Sequence, residues 1–330
     1  MQTSKKNIIK SILFILLLIF CVEVINFILV PYSSMMKRFR KFRIDQSRGN
    51  IDLMVIGSSH EFDGFDGDTM SEQMSLNVSV FAPQGGTPET SYYCLLDALG
   101  KNNIKTVIIG WDLLDNFQTP AYVYPSNRRA QMYRELLKDS RGNSKLFFTT
   151  IKNMLDQRYT LTLFEYSSFP ENLKNLRKVQ ESKKLQKEPW KETELTSTRA
   201  IDTSDIWNPR YQLADVKAMS YGESINKDAI KFVKKTAQLC KEKGINLFYI
   251  EGPYPQDVFK IIPECTKYHQ LTKEFFKDQK INFIDVYDEN FFPDITKTTD
   301  YNDFYGHFIV SGKINYTKKV CDWLKENLKN

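Results

Sequence analysis

Short apolar runs alternate with helix-like segments along most of the chain, and this alternation limits the possible folds more than any other feature. The runs are apolar throughout, which is typical of strands that are buried on both faces of a parallel sheet. A chain of 330 residues forms one large domain or two small ones and buries a full core. We therefore predict an α/β fold with a parallel sheet of about five strands and helices on both faces. The predicted strands are residues 52–57, 75–80, 105–110, 245–251 and 281–286.

Helical patterns connect these strands. The clearest is Pro88–Leu99, because Thr87 suits a helix N-cap and Pro88 takes the first helical position. The strand pattern stops between residues 122 and 221, where the sequence predicts a helical insertion that covers the site. The other predicted helices are 226–243, 272–277 and 311–328, with 128–139, 145–157 and 170–187 inside the insertion.

An apolar run over residues 8–30 is long enough to cross a bilayer core. A cleaved signal peptide is the rival interpretation, but no small-x-small cleavage site follows and the run is long for such a peptide. We therefore predict a tail at residues 1–7, a transmembrane anchor at 8–30, a basic linker at 31–49 and one domain at 50–330. More Lys and Arg residues follow the run than precede it, which by the positive-inside rule favours a cytoplasmic domain. Such residues also bind anionic headgroups, so the charges leave the orientation open.

Composition excludes several functional classes. The net charge of +6 is modest and forms no basic stripe with interleaved aromatic residues, so nucleic-acid binding is not expected. The five cysteines form no Cys-x-x-Cys motif, so neither a metal site nor a redox motif is expected. The acidic group Glu61, Asp63, Asp66 and Asp68 lacks EF-hand spacing and reads as a solvated loop. We expect no cofactor.

Serine, aspartate and histidine stand where a hydrolytic site would need them. Ser59 follows the first predicted strand, and Asp303 and His307 precede the last predicted helix. A serine nucleophile needs a base to accept its proton and a carboxylate to orient that base. The chain has 3 histidines: His307, His269 within a helical pattern, and His60, whose side chain should point away from that of Ser59. Ligands bind at the carboxyl ends of parallel strands, where Ser59 and His307 are both predicted to lie.

These residues resemble the SGNH/GDSL hydrolase superfamily. The stretch Gly-Ser-Ser-His-Glu-Phe-Asp-Gly-Phe-Asp that begins at Gly57 is similar to its membrane-anchored branch. That branch contains the D-alanyl-transfer protein of teichoic acid modification and cell-envelope O-acetyltransferases and esterases. The stretch Ala-Pro-Gln-Gly-Gly-Thr-Pro-Glu-Thr-Ser-Tyr-Tyr that ends at Tyr93 adds to the resemblance. It covers about residues 50–115 and 245–330 and implies a flavodoxin-like, three-layer fold.

The resemblance implies a role for each matching residue. Ser59 would be the nucleophile, His307 the general base and Asp303 its partner, although Asp303 lies one residue farther from the histidine than the Asp of the family's Asp-x-x-His pattern. Asp300 is the alternative carboxylate partner of His307. Gly85 or Gly86 would supply an oxyanion-hole N–H, as would a backbone N–H next to Ser59. Asp112 stands where the family has an Asn donor, so Asn116 is the candidate replacement. His60 and Asp112 are further candidates for the substrate pocket, and Asp112 alternatively shapes its own loop.

The function implied by the resemblance is a membrane-anchored serine esterase or acyltransferase. It would act on cell-envelope polysaccharide through an acyl-serine intermediate, with the domain outside the cytoplasm and the N-terminus inside. The expected partners are a glycan acceptor, the lipid bilayer and a membrane-bound acyltransferase that donates the acyl group. Two alternatives stay open: a catalytically degenerate protein that binds or assembles surface polymers, and a cytoplasm-facing esterase.

Overall fold

The chain is described by a computed structural model with gaps in its description. The described residues are 2–29, 34–83, 85–117, 135–136, 148, 173–184, 222–255, 258–259, 262, 264–290, 292, 295, 297, 300–301 and 306–328.

Five parallel strands form one sheet in the order β2-β1-β3-β4-β5. This is the flavodoxin-like order, in which the chain reverses its direction of progress across the sheet next to β1. The parallel α/β sheet predicted from the sequence is therefore confirmed. The strands are β1 Leu53–Ile56, β2 Val78–Phe81, β3 Thr106–Trp111, β4 Asn246–Glu251 and β5 Asn282–Ile284.

Nine α-helices are described along the chain. The helix Pro88–Leu99 has the predicted bounds and Thr87 caps it, while residues 272–277 are the middle of a longer helix. The helices are α1 Gln2–Leu29, α2 Ser34–Ser47, α3 Ser59–Gly64, α4 Gly67–Met74, α5 Pro88–Leu99, α6 Leu176–Lys184, α7 Lys227–Lys243, α8 Glu264–Gln279 and α9 Val310–Asn327.

Alternate residues of each strand face two separate hydrophobic cores. In β1, Met54 and Ile56 pack with residues of α2, α5, α7 and α8, while Leu53 and Val55 pack with residues of α4 and α9. All four side chains are fully buried. This arrangement explains the apolar runs, because a strand covered on both faces has no side that favours polar residues. The helices and the sheet form the predicted three layers.

The second strand, predicted for residues 75–80, begins later than predicted because Ser75 belongs to the end of a helix. Ser75 ends α4 in a left-handed conformation with φ of 52°, so β2 begins only at Val78. The acidic group predicted as a solvated loop also extends into this helix through Asp68. Asp66 instead caps α4 by accepting a hydrogen bond from the Thr69 N–H at 2.8 Å.

The basic linker predicted for residues 31–49 is wrong, because α2 packs against the edge strand β2. Phe39 and Phe42 are buried, and their rings lie 4.8 and 4.4 Å from the ring of Phe81. Asp45 accepts a hydrogen bond from the Ser79 hydroxyl at 2.9 Å. Three of the basic residues are also engaged: Arg38 with the Ala82 carbonyl, Lys41 with Asp45 and Arg43 with Glu135. The basic residues of α2 give it the pattern of a linker, whereas its aromatic residues determine its packing.

The N-terminal apolar run forms the helix α1. Its described apolar side chains are exposed, among them Leu13 at 59%, Phe14 at 66% and Phe20 at 65%. The helix predicted for this segment is therefore confirmed, and its placement in a membrane stays a prediction.

Among the described residues, no helix meets the combined requirement of length and apolar content for crossing a membrane.

The predicted insertion is described only in short pieces. The helix α6 falls within the predicted helix 170–187, and the other two predicted helices lie almost wholly outside the described residues. Leu136 is fully buried in the core that α2 shares, and Glu135 pairs with Arg43 at 3.1 Å. At this point the insertion therefore packs against the body of the fold.

The packing of α2 on β2 predicts that its aromatic residues are needed for stability. Replacing Phe42 with Ala should lower the free energy of unfolding by about 3–5 kcal/mol, because a buried ring is removed. The matched control is Phe148→Ala, since Phe148 is 69% exposed, and a surface change of this kind is worth about 0.5 kcal/mol or less. Urea unfolding of the full chain in detergent measures both. Equal stability of the two variants would restore the linker interpretation.

Candidate active site

The turn between β1 and α3 positions Ser59 at the carboxyl edge of the sheet. Ser58 is the N-cap of α3, and its hydroxyl oxygen accepts a hydrogen bond from the His60 N–H at 3.2 Å. The Glu61 carboxylate accepts a hydrogen bond from the Ser58 N–H at 2.6 Å, which completes a capping box. Ser59 is the first residue of the helix and is half-buried. Ser58 therefore has the capping role, and Ser59 is left to face the site.

The carboxyl group of Glu61 occupies space that two glycines leave open. A Cβ atom at Gly57 or at Gly110 would collide with this carboxyl group. Gly57 follows β1 and Gly110 lies in β3, so Glu61 is seated over the ends of two neighbouring strands. The glycines are required here for close approach rather than for backbone freedom.

Burial raises the pKa of Glu61, because the ionised carboxylate loses its hydration inside the protein. The charge of His60 and the hydrogen bond from the Ser58 N–H act in the opposite direction, and the nearby Asp112 adds to the rise. The sequence interpretation of Glu61 as part of a solvated loop is therefore wrong, since its exposure is 3%.

His307 reaches Ser59 from the other end of the domain. Its Nε2 lies 2.8 Å from the Ser59 Oγ, although the two residues are 248 positions apart in the sequence. Both side chains are half-buried and thus open to the surface. The structure brings together the serine and the histidine that the sequence singled out, with the geometry of a nucleophile and its base.

A short antiparallel pairing holds the backbone on the C-terminal side of His307. Tyr301 pairs with Phe308 in an antiparallel bridge, and the Ile309 N–H donates to the Asp300 carbonyl at 2.9 Å. Asp300, the alternative partner of His307, thus contributes its backbone carbonyl to this pairing. Asp303, the predicted partner of His307, lies outside the described residues.

The predicted oxyanion-hole donors Asn116, Gly86 and Gly85 differ in the hydrogen bonds that they already make. The Asn116 side chain donates one N–H to the Asp112 carbonyl at 2.7 Å, and its role as the replacement donor stays a prediction. The Gly86 N–H closes a turn on the Pro83 carbonyl at 3.0 Å, which contradicts a donor role for Gly86. A Cβ at Gly86 would collide with the Gly57 carbonyl, so this turn lies directly against the one that carries Ser59. Gly85 is buried in the same turn with φ of 70°, and its donor role stays a prediction.

His60 and Asp112 are not pocket-lining residues. Each is 7% exposed, and His60 Nδ1 lies 2.7 Å from Asp112 Oδ2. The other Asp112 oxygen accepts hydrogen bonds from the Tyr254 hydroxyl at 2.8 Å and the Leu114 N–H at 3.1 Å. The predicted substrate-pocket role is therefore wrong for both, because their polar atoms are turned toward one another inside the protein. The alternative that Asp112 bonds within its own loop is confirmed.

A second buried polar cluster lies at the carboxyl ends of β4 and β5. His269 Nδ1 is 2.6 Å from Glu251 Oε2, and Lys273 Nζ is 2.6 Å from Asp285 Oδ2. Glu251, His269 and Asp285 are close enough to hold a metal ion. However, the Lys273 ammonium group already pairs with Asp285, and the contact of His269 with Glu251 has the length of a hydrogen bond. We therefore assign this cluster to structural support, as the helical position of His269 predicted.

The geometry defines the class of site. A serine hydroxyl in contact with an imidazole, at the carboxyl edge of a flavodoxin-like parallel sheet, has the arrangement of a serine nucleophile and its general base. Such a pair can attack a carbonyl carbon and form a covalent acyl-serine.

Comparison with known proteins gives fold-level likenesses only. No protein-family model matches the chain, and no curated protein matches it. A GDSL-like lipase from Bacteroides thetaiotaomicron is 8% identical with a TM-score of 0.41, over 88% of this chain and 98% of the lipase. A catalytic mutant of an acetylxylan esterase from Geobacillus stearothermophilus is 10% identical with a TM-score of 0.39, over 84% of this chain and 94% of the esterase. At these values neither likeness assigns a family or an activity to the chain.

Sequence reasoning missed Glu61 and Tyr254. The signal for Glu61 was present, since Ser58 followed three residues later by Glu is a capping box. Tyr254 lies 142 residues from the carboxylate that it binds, and no local pattern indicates such a contact.

The raised pKa of Glu61 predicts how stability depends on pH. The folded protein holds this proton more tightly than the unfolded chain, so the stabilisation is complete below the ordinary pKa of 4.5 and is lost as the pH rises through the raised value. Glu61→Gln has no proton to lose. Its free energy of unfolding should therefore fall less than that of the wild type between pH 4.5 and about pH 7.

Urea unfolding at several pH values measures this difference. The matched control is Glu72→Gln, a change of an exposed carboxylate in α4, whose curve should run parallel to that of the wild type. A Glu61→Gln curve that is also parallel to the wild type would contradict the prediction.

Proposed function

We propose that the protein is a membrane-held serine esterase or acyltransferase of the SGNH type that acts on acyl esters of cell-envelope polysaccharide. The observation that carries the catalytic part is the 2.8 Å contact between Ser59 Oγ and His307 Nε2. The choice of acyl esters and of an envelope polymer rests on the sequence resemblance alone. A membrane-bound acyl donor belongs to the same proposal.

Acylation begins when Ser59 Oγ attacks the carbonyl carbon of the ester. His307 Nε2 accepts the hydroxyl proton as the Oγ–C bond forms, and the carbonyl oxygen becomes a tetrahedral oxyanion. The bond to the leaving oxygen then breaks, and His307 returns the proton to that oxygen. The products of this half-reaction are an alcohol and the acyl-Ser59 ester.

Deacylation repeats these steps with a new nucleophile. Water or a glycan hydroxyl gives its proton to His307 Nε2 and attacks the acyl carbon, and the Ser59 oxygen leaves and recovers the proton. Water yields a free acid, whereas a glycan hydroxyl yields a new ester. One catalytic pair therefore supports both hydrolysis and transfer, and the acceptor decides between them.

A fluorophosphonate probe tests the catalytic proposal on the full chain in detergent. Ser59 should be labelled, because its hydroxyl is activated by His307, and mass spectrometry should place the adduct on Ser59. Both Ser59→Ala and His307→Ala should lose labelling, the latter by about a thousandfold or more. The matched controls are Ser47→Ala, at an exposed serine, and His269→Gln, in the second polar cluster, which should label like the wild type.

Absence of labelling in a folded wild-type protein would contradict this proposal. The fold would then fit better with the degenerate binding or assembly component that the sequence left open.

The membrane part of the proposal is supported by α1. Its described apolar side chains between Ile8 and Phe20 are more than half exposed, which is a costly arrangement in water unless lipid or detergent covers them. Cys21 lies in this helix and is the exposed member of the five cysteines, while the other four are buried. The native chain therefore carries one thiol that reports on the surroundings of α1.

Maleimide labelling in cells tests the anchoring and the orientation. A water-soluble maleimide should fail to react with Cys21 in the wild type, because lipid covers it. In Ser47→Cys the new thiol lies on the exposed end of α2 and should react in intact cells with an impermeant maleimide. Reaction of Cys21 in membranes would contradict the anchor. Reaction of Ser47→Cys only after permeabilisation would place the domain in the cytoplasm.

A further inference from the structure

A second histidine lies against the base of the candidate active site. The rings of His60 and His307 are stacked, with centroids 5.2 Å apart and planes within 9° of parallel. On its other side, His60 Nδ1 is paired with Asp112 Oδ2 at 2.7 Å. His60 thus connects the carboxylate that follows β3 with the imidazole that contacts Ser59.

Gly306 packs against the His60 ring and has no space for a side chain. A Cβ at Gly306 would lie 2.6 Å from the Pro253 carbonyl oxygen and 3.1 Å from His60 Cδ2. Gly306 has φ of 89°, a conformation that favours glycine, and it directly precedes His307. The residue that makes room for the His60 ring therefore also sets the direction in which the His307 side chain leaves the backbone.

Asp112 is held by two hydrogen bonds in addition to its contact with His60. The Tyr254 hydroxyl and the Leu114 N–H both donate to its Oδ1, and the Tyr254 ring lies 5.3 Å from that of His60. A continuous series of contacts runs from Tyr254 through Asp112, His60 and His307 to Ser59. The buried groups in this series are each held by a neighbour, so the His60 ring has a single orientation.

We propose that His60, held by Asp112, is a positioning residue that fixes the ring plane of His307 so that Nε2 stays on the Ser59 hydroxyl. This inference rests on the proposed serine chemistry. The parallel ring face keeps the His307 imidazole from rotating away, an effect that stacked aromatic rings produce by packing. When His307 takes the serine proton, its positive charge lies beside a ring whose Nδ1 is 2.7 Å from a carboxylate oxygen of Asp112.

Rates of fluorophosphonate labelling of the full chain in detergent test the inference. His60→Ala should lower the labelling rate at least about tenfold, because the base loses its orientation. With p-nitrophenyl acetate the loss should fall on kcat, and KM should stay within about twofold. His60→Gln can still bond to Asp112 but has no ring, so it should lose the same activity even if His60→Ala fails to fold. His269→Gln is the matched control and should label at the wild-type rate.

A double-mutant cycle separates positioning of His307 from a general structural role. If His60 acts through His307, then His60→Ala should lower the residual labelling of His307→Ala by less than about twofold. A structural role that displaces Ser59 would lower labelling equally in both backgrounds, and that result would overturn the inference. Wild-type labelling of His60→Ala and His60→Gln would also overturn it.

The histidine spectrum gives a readout that does not depend on activity. The 3 histidines should give separate ring signals, and His60→Gln should shift the His307 signal while leaving that of His269 in place. An unmoved His307 signal would overturn the positioning role. If the wild type is not labelled at all, the proposed function fails and the inference fails with it. If the wild type is labelled and the His60 variants behave like it, only the inference fails.

Discussion

A carboxylate buried at the end of the first strand is the constraint on which the candidate site depends. The Glu61 carboxyl group fits only because Gly57 and Gly110 carry no side chains. In this position it accepts a hydrogen bond from the Ser58 N–H. Burying a charged group is costly, and the hydrogen bond offsets part of that cost. The first turn of α3 is thereby fixed, with Ser59 toward solvent and His60 toward the interior. Residues 57–61 act as one structural unit rather than as a nucleophile in a loop.

The sheet and the central pair of the site could be predicted from sequence because both follow from simple rules. Strands that are apolar throughout must be covered on both faces, which leaves few arrangements other than a parallel sheet. The carboxyl ends of such strands meet at one edge, so Ser59 and His307 were expected to lie together despite their separation. Because the chain has only 3 histidines, few residues could be considered as the general base.

The remainder of the site could not be predicted, because it depends on contacts between distant residues. Neighbouring residues on a helix point in different directions, so His60 was correctly expected to turn away from the Ser59 side chain. That rule gives no sign that His60 would turn toward Asp112 and pack against His307. The hydrogen bond from the Asn116 amide to a backbone carbonyl four residues earlier was not predicted either. The packing of α2 was not predicted because its sequence is rich in charged residues. Some of these residues form ion pairs in the folded protein.

The separation of Ser59 and His307 also affects how the protein is made. A ribosome adds about 5–20 residues per second, so the base follows the nucleophile by 248 positions and roughly 12–50 seconds. During this time α1 has already emerged while Ser59 has no partner. His307 directly precedes α9, and α9 docks beside α4 because its Thr317 hydroxyl accepts a hydrogen bond from the Asp66 N–H at 2.9 Å. In the proposed mechanism, the Ser59 hydroxyl therefore gains its base only after the last helix of the chain has been synthesised and has docked.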